Sequence, residues 1–114
     1  MLLEVGEKIH VMVRRRFEQD LRRHFVGEVT RVAENAVCAE GYVFVFNRVT
    51  NAFVRRTERR KRIVALTDNG NIINVIAAEV DLEKLVYDTS SGGRLIMTDH
   101  ESFSLDINEF GTHY

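Results

Sequence analysis

Most of this chain is written in short alternating apolar runs, and that pattern constrains its fold more than any other feature. "KIHVMV" (8–13) places Ile9, Val11 and Val13 on one face. "FVGEVTRV" (25–32) alternates again, and its internal Gly27 marks a bend or a close backbone approach. "YVFVFNRV" (42–49) is apolar on both faces, as a central strand is. "KRIVALT" (61–67) and "IINVIAA" (72–78) are two more strands, and Asn69-Gly70 between them is a strong hairpin signal. "RRRFEQDLRRH" (14–24) reads as a long hairpin loop or a single helical turn. "ENA" (34–36) reads as a turn, with Asn35 able to take positive φ. Leu82, Leu85 and Val86 fall at helical spacing after Asp81, a capping residue, so one short helix is expected near 81–87. "RLIMT" (94–98) and "SFSLDI" (102–107) are two additional C-terminal strand-like runs, and "NEFGTHY" is a tail. Short strands at this spacing predict a mainly β fold: a small, strongly bent antiparallel barrel or a sandwich.

Length and charge set the outer bounds. At 114 residues the chain is expected to be one domain over 1–114, able to bury a core without staples. Cys38 is the only cysteine, which excludes an internal disulfide and any multi-cysteine zinc site; its apolar neighbours point to a buried, inert thiol. There is no proline, so no Pro-kinked element is available. The first residues, "MLLEVGEKIHVMV", contain Glu4 and Glu7 and read as neither a signal peptide nor a membrane span, which predicts a cytoplasmic protein. The net charge of -1 hides a polarity. Residues 1–62 hold 14 Lys and Arg against 8 acids, whereas residues 63–114 hold 2 against 9. Either the halves neutralise each other, within one fold or between subunits, or the basic half faces an anionic partner.

The basic half is concentrated in "AFVRRTERRKRIVAL" (52–66). Six of the eight residues Arg55–Arg62 are cationic, and Glu58 is the only acid among them. A strand charged on both faces has no core on either side, so the run must project or lie along a sheet edge. Lysine is the usual device for protecting an edge. Five arginines with Lys61 instead favour bidentate contacts with phosphate or carboxylate. If Thr50-Asn51 closes a hairpin, Phe46 faces Arg55, Phe44 faces Thr57 and Tyr42 faces Arg59. Alternation then collects Tyr42, Phe44, Phe46, Phe53, Arg55 and Arg59 on one face. Aromatic rings interleaved with guanidinium groups suit bases and phosphates; the alternative is that the rings are core and the arginines begin where the strand enters solvent.

Catalytic patterns are weak by comparison. His10, His24, His100 and His113 show no metal-ligand spacing. "TDHES" (98–102) groups Asp99, His100 and Glu101 as a polar connection, and "SSGGR" (90–94) lacks the lysine and helix of a phosphate loop. No nucleophile–base pair emerges, so a non-enzymatic protein without cofactor or metal is expected.

Two family resemblances follow from these residues. Residues 5–78 resemble the Sm-like small β-barrel: "FVGEVTRVAEN" offers its inner glycine (Gly27) and loop Asn (Asn35), and "IVALTDNGNIINVI" offers Gly70, Ile73 and Ile76. Ala33 stands where that family has Asp, and Asn69 where it has Arg. The resemblance implies a five-stranded bent barrel that binds RNA and assembles with itself, with Asn35 and Asn69 near the ligand. The chain also resembles the PilZ domain, a cyclic di-GMP receptor. Arg56 and Arg60 match its R-x-x-x-R pattern, and Asp88, Ser90 and Gly93 its later [DN]-x-S-x-x-G pattern. Only 21 residues follow Gly93 here.

Together these readings predict a binding module for an anionic ligand, foremost RNA or another nucleic acid, contacted by Arg55, Arg56, Arg59, Arg60, Lys61 and Arg62. Arg14–Arg16 and Arg22–Arg23 extend the patch. The alternatives are a PilZ-type cyclic dinucleotide receptor and a homo-oligomeric adaptor in which the run meets acids such as Asp99, Glu101, Asp106 and Glu109 of another copy.

Overall fold

The computed structural model describes residues 2–15, 17, 19–67, 70–90 and 92–107. They form two compact units, one over residues 1–78 and one from Glu79 onward. The mainly β prediction holds in both.

The first unit is an antiparallel sheet of six strands: β1 (Lys8–Val13), β2 (Arg23–Val32), β3 (Ala36–Asn47), β4 (Ala52–Arg55), β5 (Arg60–Ala65) and β6 (Asn71–Ile76). The order is β4-β3-β2-β1-β6, and β5 also pairs with β3. β3 is long enough to hold both partners on one side, β5 along Ala36–Gly41 and β4 along Phe44–Asn47. The core follows the two-residue period of the strands. Ile9, Val11, Phe25, Val29, Val37, Ala39, Val43 and Val64 form one buried cluster with Leu3, and Val32, Val45, Leu66 and Ile73 pack against it. Val13, expected beside Ile9 and Val11, ends its strand exposed.

Close approach explains the glycines. Gly27 lies directly opposite Gly41 in the β2–β3 pair. A Cβ on Gly41 would fall 2.7 Å from the Gly27 Cα, against backbone that cannot rotate away. Beyond them, a bulge between Val29 and Arg31 bends β2, and the Thr30 hydroxyl donates to the Cys38 carbonyl at 3.2 Å. Cys38 itself is half-buried rather than fully enclosed, with Ile63 and Arg31 as its cross-strand partners.

Several expectations need correction. No closed barrel forms among the described strands: the sheet runs open from the β4 and β5 edge to β6. A strand charged on both faces is stable with its outer side in water, and β5 carries Arg60, Lys61 and Arg62. β5 and β6 therefore do not make the hairpin expected from Asn69-Gly70; they lie on opposite edges. Asn69 itself is outside the described residues. The turn at 33–36 closes through an Ala33 N–H donating to the Ala36 carbonyl at 2.9 Å, and Asn35 does not adopt positive φ. The β3–β4 turn has four residues, 48–51, because the Asn47 side chain accepts from Val49 N–H (2.9 Å) and Thr50 N–H (3.3 Å), while Asn51 takes φ 55°.

The second unit is a three-stranded antiparallel meander, β7 (Val86–Thr89), β8 (Leu95–Thr98) and β9 (Ser104–Asp106). The helix expected near 81–87 is a single 3₁₀ turn, Leu82–Lys84, capped by Asp81, whose carboxylate accepts from Glu83 N–H at 3.0 Å. It stops because Val86 and Tyr87 pair instead with Thr98 and Met97. Val80, Leu82, Leu85, Met97 and Ile107 are buried. The 94–98 and 102–107 runs become β8 and β9 as expected, slightly shortened.

Candidate functional site

The Arg-rich run is the outer edge of the first unit's sheet. Arg55 ends β4 opposite Phe44, and Arg60 begins β5 opposite Gly41. Four residues, Arg56–Arg59, thus stand against only Tyr42 and Val43 of β3. Arg56 N–H still donates to the Val43 carbonyl at 2.8 Å, and the chain then bulges outward. This two-residue excess also resolves the register. The longer turn shifts β4 by two residues from the expected pairing, so Phe46 faces Phe53 and Phe44 faces Arg55. The bulge takes up the shift, and β5 follows the predicted register. A shift of two leaves each side chain on its original face.

The predicted face is therefore present. The Arg55 guanidinium carbon stands 5.0 Å above the centre of the Tyr42 ring, and that of Arg59 stands 5.8 Å from the same centre. Phe46 and Phe53 meet edge to face at 5.2 Å, with Arg22 over Phe46 at 5.6 Å. Tyr42 and Phe44 are buried, while Phe46 and Phe53 are half-buried. The rings thus serve both as packing and as supports for planar cations.

Charge on this edge is only partly compensated. Arg59 pairs with Glu40 at 3.9 Å, and Arg60 with Glu58 at 3.0 Å. Exposed pairs of this kind contribute about 0–1 kcal/mol each and leave the side chains available for exchange. A cross-strand row Lys8, Glu28, Glu40, Lys61 runs across the sheet beside them. Arg56, Lys61 and Arg62 are exposed and form no ion pair among the described residues. Asn35 is not brought to the run: it precedes β3, while Arg62 pairs with Ala39, four strand residues or about 13 Å away. Arg14, Arg15, Arg22 and Arg23 flank the β1–β2 connection; Arg16 is outside the described residues.

Behind the aromatic strip lies a pair that scattered sequence positions did not reveal. His24 stacks on Phe53 with centroids 4.6 Å apart, and His10 meets His24 edge-on at 5.3 Å. Burial lowers His10 from 6.5 to about 4. His24 falls to about 3, first through burial and then through the charges of His10 and Arg22. Both rings are neutral at neutral pH. The Asn74 amide nitrogen lies 3.3 Å from His10 Nδ1. His24 was read as part of the 14–24 connection, but β2 begins at Arg23, and the β1–β2 register then makes the two residues diagonal neighbours.

In the second unit the acids have local work. The Asp99 carboxylate accepts from the N–H groups of Glu101 (2.9 Å), Ser102 (3.1 Å) and Phe103 (3.0 Å), and the bonds from Glu101 and Phe103 hold it below the usual carboxylate range. Glu101 pairs with Lys84, and Asp106 with Arg94. Of the PilZ-like residues, Asp88 accepts from Thr89 N–H at 2.8 Å and lies 3.5 Å from His100, while Ser90 Oγ accepts from Arg94 N–H at 3.2 Å. Gly93 takes φ 77°. His113 and Glu109 lie outside the described residues. No cluster of three or more potential metal ligands occurs among the described residues, and no described helix is long and apolar enough to cross a membrane.

No family model, curated protein or solved structure matches the chain.

Proposed function

We propose that this chain is a non-enzymatic module that binds nucleic acid, RNA foremost, along the β4–β5 edge. The observation that carries the reading is the exposed row Arg55, Arg56, Lys61 and Arg62 on one sheet edge, with Arg59 and Arg60 held beside it by Glu40 and Glu58. A charged polymer offers a phosphate to each such cation and releases the counterions it held. Edge protection alone requires no arginine and no ring beneath it. A cytoplasmic setting accompanies the reading, since RNA and a reduced Cys38 both belong there.

The two other readings draw less support. An adaptor would use Asp99, Glu101 and Asp106, which already accept bonds or pair within their own unit. A cyclic dinucleotide receptor would use Asp88 and Ser90, whose oxygens already accept from nearby backbone N–H groups, those of Thr89 and Arg94.

The first test is the purified protein itself. With no Trp and 3 Tyr it absorbs weakly, so co-purified nucleic acid dominates its ultraviolet spectrum. Nucleic acid removable by a molar salt wash supports the reading. A clean protein that also fails to bind added RNA at low salt refutes it.

A further inference from the structure

Resting on the nucleic-acid reading, we infer that the edge prefers unpaired, single-stranded nucleic acid, and that Arg55 and Arg59 above Tyr42 form its base-stacking station. Both guanidinium groups lie over one ring, at 5.0 and 5.8 Å from its centre, and both residues are exposed. Tyr42 is buried at 8% exposure, so the ring is a fixed support and the planar cations are the surface presented to a ligand. Glu40 steadies Arg59 from one side at 3.9 Å.

A guanidinium already placed over a ring costs a base little further ordering, and its delocalised plane can stack on any base. In a duplex the base faces are covered by their neighbours, and only the backbone and the groove edges are reachable. A single strand offers both phosphate and base face, so it gains the stacking contact in addition to the charge. Phe46 lies four strand residues beyond Tyr42, about 13 Å, and carries Arg22 at 5.6 Å. That second ring-borne cation lies along the same strand, within reach of an extended chain whose nearer base rests on the first.

The experiment measures fluorescence anisotropy of the full chain with three probes: an oligouridylate of about 12 nucleotides, the same backbone with abasic sites, and an RNA duplex of equal length. The double variant Arg55→Lys/Arg59→Lys keeps both charges and removes both planes. The expected result is that wild type binds the oligouridylate roughly fivefold or more tightly than either other probe, the least that one stacked base contributes. The variant loses that preference while its log affinity keeps the same dependence on log salt. Equal binding of all three probes by wild type overturns the inference and leaves the anion-binding reading standing, as does a variant that retains the preference. Failure of every probe to bind at low salt overturns both.

Discussion

The His10–His24 pair makes a pH prediction whose size follows from its burial. Both rings are enclosed, His10 at 0% and His24 at 7% exposure, and both are held below their ordinary 6.5, at about 4 and about 3. A folded-state value below the unfolded one means that the unfolded chain takes protons first. The stability is therefore complete above about pH 6.5 and is lost as the pH falls through the unfolded value toward the folded ones. At about pH 5 an unfolded histidine is almost fully protonated, whereas both folded rings remain mostly neutral. Each then costs about 2 kcal/mol, about 4 kcal/mol for the pair, and about 6 kcal/mol at pH 4. That is comparable with the whole stability of many small domains, about 5–15 kcal/mol. Urea unfolding followed by circular dichroism from about pH 7.5 to 4.5 reads it directly, because near pH 5 these two groups should make stability fall by about 2–3 kcal/mol per pH unit. The variant His10→Gln/His24→Phe removes both titrations while keeping a ring against Phe53 and a side-chain amide for Asn74. It should lose most of that slope. A wild-type midpoint that does not move between pH 7.5 and 5 would refute the reasoning, as would a variant with undiminished pH dependence.

Two further outcomes test the fold. Gly41→Ala drives a methyl into the Val26–Gly27 backbone and should cost about 3 kcal/mol, lowering the melting temperature by roughly 10–20 °C in differential scanning calorimetry; an unchanged melting temperature would show that the two strands are not so close. Asp99→Ala removes the acceptor shared by Glu101, Ser102 and Phe103, so hydrogen exchange of those three amides should quicken, while the core amides of β1–β3 keep their protection.

The strands and the basic edge were legible because they depend on local alternation. Ile9 and Val11 could be grouped on one face of their strand, and Phe25 and Val29 on one face of theirs, from period alone, and a run charged on both sides had to project or lie along an edge. The connections were less legible because side chains decide them: Asn47 builds a four-residue turn where Thr50-Asn51 seemed sufficient, and the 56–59 bulge restores a register that no local rule specifies. Topology was least legible. The sequence of 61–78 favours a hairpin through Asn69-Gly70, and only the pairing of β5 with β3 and of β6 with β1 overrides that local signal. Within the candidate site, the Tyr42–Arg55–Arg59 group followed from parity. The His10–His24 contact required the β1–β2 register, which the 14–22 connection does not reveal.

The central claim is that exposed cations of the β4–β5 edge neutralise phosphates. Arg55, Arg56, Lys61 and Arg62 are exposed and are the principal contributors, beside Arg59 and Arg60, which pair with Glu40 and Glu58. The most direct measurement is the slope of log affinity for an oligouridylate against log salt, for wild type and for Arg56→Gln/Lys61→Gln/Arg62→Gln. Four phosphate contacts give a slope of about -2.8, a loss of roughly 50-fold between about 50 and 200 mM salt; the variant retains about -0.7, a loss of roughly threefold. A variant with the wild-type slope would contradict the account and remove this edge from whatever the protein binds.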